Sequence, residues 1–472
     1  MPLPTTGQLD QLSREDLLVL VKELLPVVQQ VQQLQQRITE LEAEVERLKG
    51  PPTTSRNSSQ PPSRDQKSNQ PTNKPKKKHG PPFGHQRSVR ALIDQPDRTI
   101  SLEVEQCEQC QGNLNGIAPE KIVRRQVTEL PAFKPVVIET QQHEVVCPHC
   151  RWLNRAQLPE GLEAERYFGP RLEAAVVFFK HQQHLSYERI VQTLRELFGL
   201  ELSEGGIASI IERAGERAAL AAAEIKQQVT TSPVIKSDET SARVGGRTCW
   251  HWVFIGASAV YHLIAPRRNA AVIEEVMGTS SVEVWVCDCF GAQLKAPAQV
   301  FQLCLQHQLR DLQRVLDQRP DARWASEMQK LFREAIHLNH RHDCPQPQLT
   351  LTGFMRRLSE LENQLDSLLN QELSNPAERK LQHRFQLHRD KLLTFLYYPG
   401  VPPTNNQSEQ ALRTSVVHRK VTNGFRSEWG AKAYTDLLSV IATSKIKGQR
   451  VFETLVTLMG HPVLHFLDAS FP

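Results

Sequence analysis

With 472 residues, 39% of them hydrophobic, and a formal net charge of only +5, the chain is long enough for two to four domains with cores of their own and is no short motif carrier. No window approaches 18 uninterrupted apolar residues, and the opening MPLPTTGQLDQLSREDLLVL has no basic segment followed by an apolar run. Neither a membrane span nor a signal peptide is expected, and the reading is a cytoplasmic protein, in which nine cysteines are reduced and any clustered ones are metal ligands before disulfides.

In chain order, residues 1–50 come first. Leu17, Leu20, Leu24, Val27, Val31, Leu34, Ile38, Leu41, Val45 and Leu48 alternate three- and four-residue steps with Gln, Glu, Lys and Arg between them. That heptad spacing keeps one apolar seam toward a partner helix, so a coiled coil holding two or more copies together is expected. The alternative is an amphipathic helix packed on its own protein. Pro26 is expected to kink or divide the helix.

Residues 51–98 are rich in Pro, Ser, Asn, Gln and Lys and almost empty of apolar side chains, the composition of a disordered tether. Residues 51–100 hold ten Lys or Arg against three acids. Lys76, Lys77 and Lys78 are the densest part, and clustered cations of this kind release counterions from a polyanion, which makes DNA a candidate partner beside the plainer reading of a solvated linker.

Residues 99–160 contain Cys107 and Cys110 in CEQC and Cys147 and Cys150 in CPHC, 36 residues apart. Two such pairs on strand-like alternating segments, KIVRRQVTEL and KPVVIETQQHEVV, are expected to converge on one structural zinc ion, because soft thiolates favour zinc over harder cations and four sulfurs leave no open position. A redox pair is the alternative. Residues 161–230 turn helical, and SYERIVQTLRELFG followed by SEGGIASIIERAGERAALAAAEI outlines a helix-turn-helix with Ser203 as the second helix's cap. DNA reading and plain scaffolding are both open for it.

From residue 231 to 460 the grammar is α/β. VIKSD (234–238), CWHWVFIGA (249–257) and AVYHLIAP (259–266) read as three strands, NAAVIEEVMG as a helix and VEVWVCD (282–288) as a further strand. This is the core order of a ribonuclease-H-like sheet, in which first and fourth strands lie side by side. Asp238 and Asp288 each close one of those runs, and two carboxylates brought together repel unless a cation sits between them. Taken singly, each Asp also fits a strand-end turn residue. Amphipathic helical patterns over about 310–395 interrupt the sheet domain. PPTNNQSEQALR (402–413) then begins as a turn and ends as a helix, with Asn405 and Asn406 placed to cap it and Glu409 within reach of Arg413 four residues on. Residues 461–472 read as a tail.

KSDET followed by CWHWVF, the Asp closing VWVCD, the CLQHQLRDL segment, PPTNNQSEQALR and the downstream NGFRSEWGAKAYTDLLSVIATSK together resemble the insertion sequence 66 family of transposases. The resemblance covers most of the chain, and the TNN-x-x-E and GFRSE-x-GA blocks are its most specific parts. It implies a DNA transposase that binds terminal inverted repeats and carries out strand cleavage and strand transfer with Mg2+, or Mn2+, held by Asp238, Asp288 and Glu409. It further implies element ends and target DNA as partners, with accessory proteins of the same element as further ones, and a nucleoid-associated location. Arg413, Lys420 and Arg426 are expected to contact DNA phosphates. Cys289 stands where the family often has glycine after the second Asp, which leaves a non-catalytic DNA-binding derivative, or a metal nuclease without strand transfer, as alternatives. Cys304 and His307 resemble the family's Cys-x-x-His pair, for which a structural role is favoured over zinc.

Overall fold

A computed structural model describes residues 13–49, 53–54, 56–58, 90–158, 167–343 and 349–460. The chain forms two compact units, one of residues 1–66, 139–192 and 202–472 and the other of residues 67–138 and 193–201. Lys76, Lys77, Lys78 and the 461–472 tail lie outside the described residues.

The first helix, α1 (Arg14–Lys49), is a single element that continues through Pro26 rather than being divided there. Val27, Val31, Leu34, Ile38 and Leu41 of the heptad seam are exposed along it. In the second unit the alternating stretch from 121 to 138 carries no strand, contrary to the sequence reading. Ile122, Val127 and Val137 are exposed, so no buried face is present to hold a strand register. In the first unit β1 (Glu144–Val146) and β2 (Leu153–Arg155) pair as a short antiparallel ribbon.

Three helices follow, α2 (Pro170–His181), α3 (Tyr187–Phe198) and α4 (Glu204–Thr230). Ser203 caps α4, its Oγ accepting the Gly206 N–H at 3.0 Å.

β-branched and aromatic runs then build a five-stranded sheet: β3 (Val234–Val244), β4 (Arg247–Ile255), β5 (Val260–Ala265), β6 (Val282–Cys287) and β7 (Ala298–Leu303), with α5 (Ala270–Met277) between β5 and β6. The spatial order is β5-β4-β3-β6-β7. β3 is antiparallel to β4 and β4 to β5, whereas β3 with β6 and β6 with β7 are parallel. β3 is far longer than the run VIKSD, so Asp238 stands in mid-strand and not at a strand end. The strand continues because its hairpin turn is Gly245-Gly246, both at positive φ, and that turn holds β4 in register as far as Val244 with Arg247. β7 was not read from the sequence, its AQVFQL being short and mixed in polarity.

Two cores flank the sheet. Trp252, Phe254 and Trp285 are fully buried, with Phe254 edge-on to Trp285 at 6.1 Å between centroids. Val253, Ile255 and Val260 pack with Leu412 of α10 (Asn406–Thr422), which lies against β3 and β4. α11 (Glu428–Ile446) lies against β5 and α4, and α12 (Val451–Met459) against α2. Between β7 and α10 the chain runs through α6 (Leu305–Gln318), α7 (Arg323–His342), α8 (Leu351–Leu369) and α9 (Pro376–Leu387), whose core includes the Phe332–Phe385 pair at 5.5 Å.

The specific block NGFRSE has a mechanical reason. Asn423 ends α10 in the left-handed conformation, Gly424 follows at φ 119°, and Phe425 exchanges backbone hydrogen bonds with the end of β3, its N–H donating to Arg243 O at 2.7 Å and its carbonyl accepting from Gly245 at 2.8 Å. A Cβ at 424 would lie 2.6 Å from Arg243 O, a backbone atom that cannot move aside. Gly424→Ala is therefore expected to destabilise the protein by about 1–3 kcal/mol. Urea unfolding checks this, and an unchanged midpoint contradicts it.

Beneath α10 and α11 lies a buried histidine cluster. His251 Nδ1 lies 2.7 Å from Ser415 Oγ, His251 Nε2 lies 3.1 Å from His262 Nδ1, and the His418 ring lies on Tyr434 at 4.4 Å. Burial holds His251 and His418 neutral, each pushed down to about 3, with His418 lowered further by Lys180 and His184, and it lowers His181 and His262 as well. A group whose proton affinity falls on folding is protonated first in the unfolded chain. Its stability contribution is therefore intact above pH 6.5 and lost as pH falls from there toward 3. At pH 5 each of His251 and His418 is expected to remove on the order of 2 kcal/mol. Unfolding free energy measured between pH 7 and pH 5 should fall steeply, and a flat profile would refute the cluster's neutrality.

Candidate active site

β3 and β6 run parallel with Lys236 opposite Val286. Asp238 stands two residues further along β3 and Asp288 just past the end of β6, close enough for its charge to act on Asp238. Asp238 is half-buried, on the opposite side of β3 from Ser237 and Glu239. Its carboxyl is held well above the ordinary range, first by burial, then by the charges of Glu239, Asp288 and, more weakly, Glu409, while the Glu239 N–H donated to Oδ1 at 2.8 Å opposes the shift. Carboxylates just past β6 and in α10 thus act on the Asp238 carboxyl of β3.

Each acid is braced. Asp288 Oδ1 accepts the Phe290 N–H at 2.9 Å, and the Arg268 guanidinium lies over the Phe290 ring at 4.1 Å. Arg268 Nη2 pairs with Glu239 Oε1 at 2.8 Å, and Gln293 Nε2 donates to Glu239 Oε2 at 2.7 Å. Glu239, next to Asp238, is thereby tied to the loop that carries Asp288. Cys289 points elsewhere: Gln308 Nε2 donates to its Sγ at 3.5 Å, and burial pushes the thiol up.

Glu409 sits in the first turn of α10, where a carboxylate suits the helix dipole. Asn405 precedes the helix but does not cap it with its side chain. Instead it is fully buried and makes three ties: Nδ2 donates to Ser237 O at 2.7 Å, Oδ1 accepts from Ser408 Oγ at 2.7 Å, and its N–H donates to Cys304 Sγ at 3.2 Å. The bond to Ser237 fixes the start of α10 against the residue before Asp238, and that is what sets where Glu409 lies. Asn406 is exposed.

The expected Glu409–Arg413 pair is replaced. Arg310 Nη1 lies 3.5 Å and His307 Nε2 3.7 Å from Glu409 Oε1, both from α6, while Arg413 is exposed. An i,i+4 surface pair loses here to partners brought in from a packed helix. Among the described residues, the group whose ligand atoms lie within 4.8 Å of one another is Cys304, His307 and Glu409, not the three carboxylates. The carboxylates nonetheless fit a hard divalent cation. All donors are oxygen, and beyond burial the charges of Glu239, Asp288 and, more weakly, Glu409 raise Asp238's proton affinity, charge that a cation would offset.

Arg413, Lys420 and Arg426 are exposed on α10 and just beyond it. Arg419 is committed to β3, its guanidinium donating to Ser241 O and, at 2.6 Å, to Ser241 Oγ. Sequence reasoning missed Lys236, which shares a strand face with Asp238 and donates to Gln407 Oε1 at 2.8 Å, although its two-residue spacing was a usable signal. Arg310 was missed too, with only its three-residue step from His307 on one helix face to mark it.

The cysteine pairs form two turns of the same kind. Cys107 N–H donates to Gly112 O and Gln111 N–H to Cys107 O, both at 2.9 Å. Cys147 N–H donates to Trp152 O at 2.8 Å and Arg151 N–H to Cys147 O at 2.9 Å. Backbone N–H groups lower both leading thiols, from Cys110 and Gln109 at Cys107 and from Cys150 and His149 at Cys147.

The model of the Transposase IS66 family matches residues 165–433, more than half of the chain, and a family of unknown function matches residues 1–91. No curated protein matches the chain. No helix among the described residues is long and apolar enough to cross a membrane.

Proposed function

Because the chain belongs to the Transposase IS66 family, we propose that it cleaves and joins DNA with Asp238, Asp288 and Glu409 as the ligands of Mg2+ or Mn2+. The observation that carries this reading is that Asp288, just past β6, and Glu409, in α10, lie close enough to Asp238 in β3 for their charges to add to burial and to Glu239 in raising its proton affinity. The strand order and the pairing of first with fourth strand support a ribonuclease-H-like catalytic sheet. The bound ion supplies Lewis acidity at the scissile phosphate.

Arg310 and His307 hold Glu409 in place, and Asn405 fixes the helix that carries it. Lys236 lies on the strand face of Asp238, and Arg413, Lys420 and Arg426 with Lys76, Lys77 and Lys78 offer phosphate contacts that set register without reading sequence. The exposed apolar seam of α1 supports self-association, so that both element ends meet in one complex. Each cysteine turn supports a metal-binding knuckle of its own, and the Ser203-capped α4 supports the helix-turn-helix reading. The placement of Cys289 against Gln308 favours an active copy over a regulatory derivative.

A strand-transfer assay on paired element ends with Mg2+ or Mn2+ tests the proposal. Joined product is expected. Cleavage without joining would instead make the protein a nuclease, and tight binding with neither would make it a regulator.

A further inference from the structure

Cys304 and His307 lie at the start of α6, three residues apart, so they share one face of its first turn. Cys304 is completely buried and anchored, its N–H donating to Cys287 O at 2.8 Å and its Sγ accepting the Asn405 N–H at 3.2 Å. His307 is largely buried beside Cys304, and its Nε2 faces Glu409 Oε1 at 3.7 Å. One ligand atom from each of Cys304, His307 and Glu409 lies within 4.8 Å of the other two. Thiolate, imidazole and carboxylate together form a donor set for tetrahedral zinc and its relatives, and a poor one for magnesium, which demands six oxygens. Three protein ligands leave the fourth position to water.

We propose that Cys304, His307 and Glu409 form a soft-metal site that shares Glu409 with the acid site, so that a zinc-class ion bound there withdraws Glu409 from Asp238 and Asp288. The geometry makes the two sites rivals. Cys304 is fixed to β6 by its own N–H and to the Asn405 turn by its sulfur, and His307 follows on the same helical turn, so capture of the ion requires the Glu409 carboxylate to leave its Arg310 contact. A ligand bond near 2 Å draws it toward α6. Arg310, 3.5 Å from Glu409 Oε1, is the cation that the metal must displace or share the carboxylate with. The competition rests on the acid-site reading above, whereas the soft-metal site itself does not.

The test uses the full-length protein, freed of metal with a chelator and then dialysed, titrated with Co2+ and read by its tetrahedral d–d bands and its thiolate charge-transfer band. Cys304→Ser, which keeps the shape and a hydrogen-bond acceptor, and His307→Gln are titrated alongside. The wild type is expected to show a cobalt–thiolate absorbance that both variants lose. Absence of any Cys304-dependent absorbance overturns the site. Competition is read by Mn2+ electron paramagnetic resonance: zinc is expected to release bound Mn2+ from the wild type at least tenfold more readily than from Cys304→Ser. Equal release from both overturns the sharing of Glu409. Failure of the wild type to bind Mn2+ at all sinks the acid-site reading and the sharing with it, and the cobalt spectrum still decides the soft-metal site.

Discussion

Asp238→Asn is expected to abolish metal-dependent cleavage, lowering the rate by about 10³-fold or more, on the order of 4 kcal/mol of transition-state stabilisation, while DNA binding persists. The same substitution is expected to make the metal-free protein more stable. A carboxyl whose proton affinity is raised on folding favours the folded state where it is protonated, at low pH, and that contribution is lost as pH rises through the folded-state value. At pH 7 the charge of Asp238 therefore opposes folding, and an amide of the same size removes burial cost and repulsion together. In EDTA the variant should melt above the wild type, and added Mg2+ should raise the melting temperature of the wild type only. A variant that loses both cleavage and stability would point to a structural Asp238, and one that still cleaves would end the assignment.

Asn405→Ala has the second largest effect. It leaves Ser237 O and Ser408 Oγ without the side-chain partners they have at 2.7 Å, at a cost of about 1–3 kcal/mol because both lie in a buried setting. The larger consequence is positional. With the tie to β3 gone, the first turn of α10 no longer fixes Glu409, and cleavage is expected to fall about 10–100-fold with a parallel loss of Mn2+ affinity and an unchanged KM for DNA. Asn405→Asp should not rescue it, since a carboxylate cannot donate to Ser237 O. A variant with lower stability but normal Mn2+ affinity would reduce Asn405 to a packing residue.

Much of this arrangement was legible in residue order. The apolar runs ending near Asp238 and Asp288 marked the strands because burial on both faces leaves long stretches of Val, Ile and Trp. Family blocks pointed to Glu409. What escaped was whatever depended on contacts across the fold. VIKSD looked complete at Asp238 because polar residues follow, yet Thr240 to Val244 are held as strand by the hairpin to β4 and by the Phe425 bridge. Local rules gave Glu409 to Arg413 and made Asn405 a cap, and both lost to partners more than ninety residues distant, Arg310 and Ser237. In KIVRRQVTEL the alternation was real but had nothing to bury against, so the strand periodicity misled.

Asp238 of β3, Asp288 just past β6 and Glu409 of α10 are proposed to hold one divalent cation. Mn2+ binding measured by electron paramagnetic resonance on the wild type, Asp238→Asn, Asp288→Asn and Glu409→Gln tests it most directly. The wild type is expected to bind Mn2+, and every one of the three variants to lose at least tenfold in affinity. Unchanged Mn2+ affinity in Glu409→Gln, with the fold intact, would contradict it.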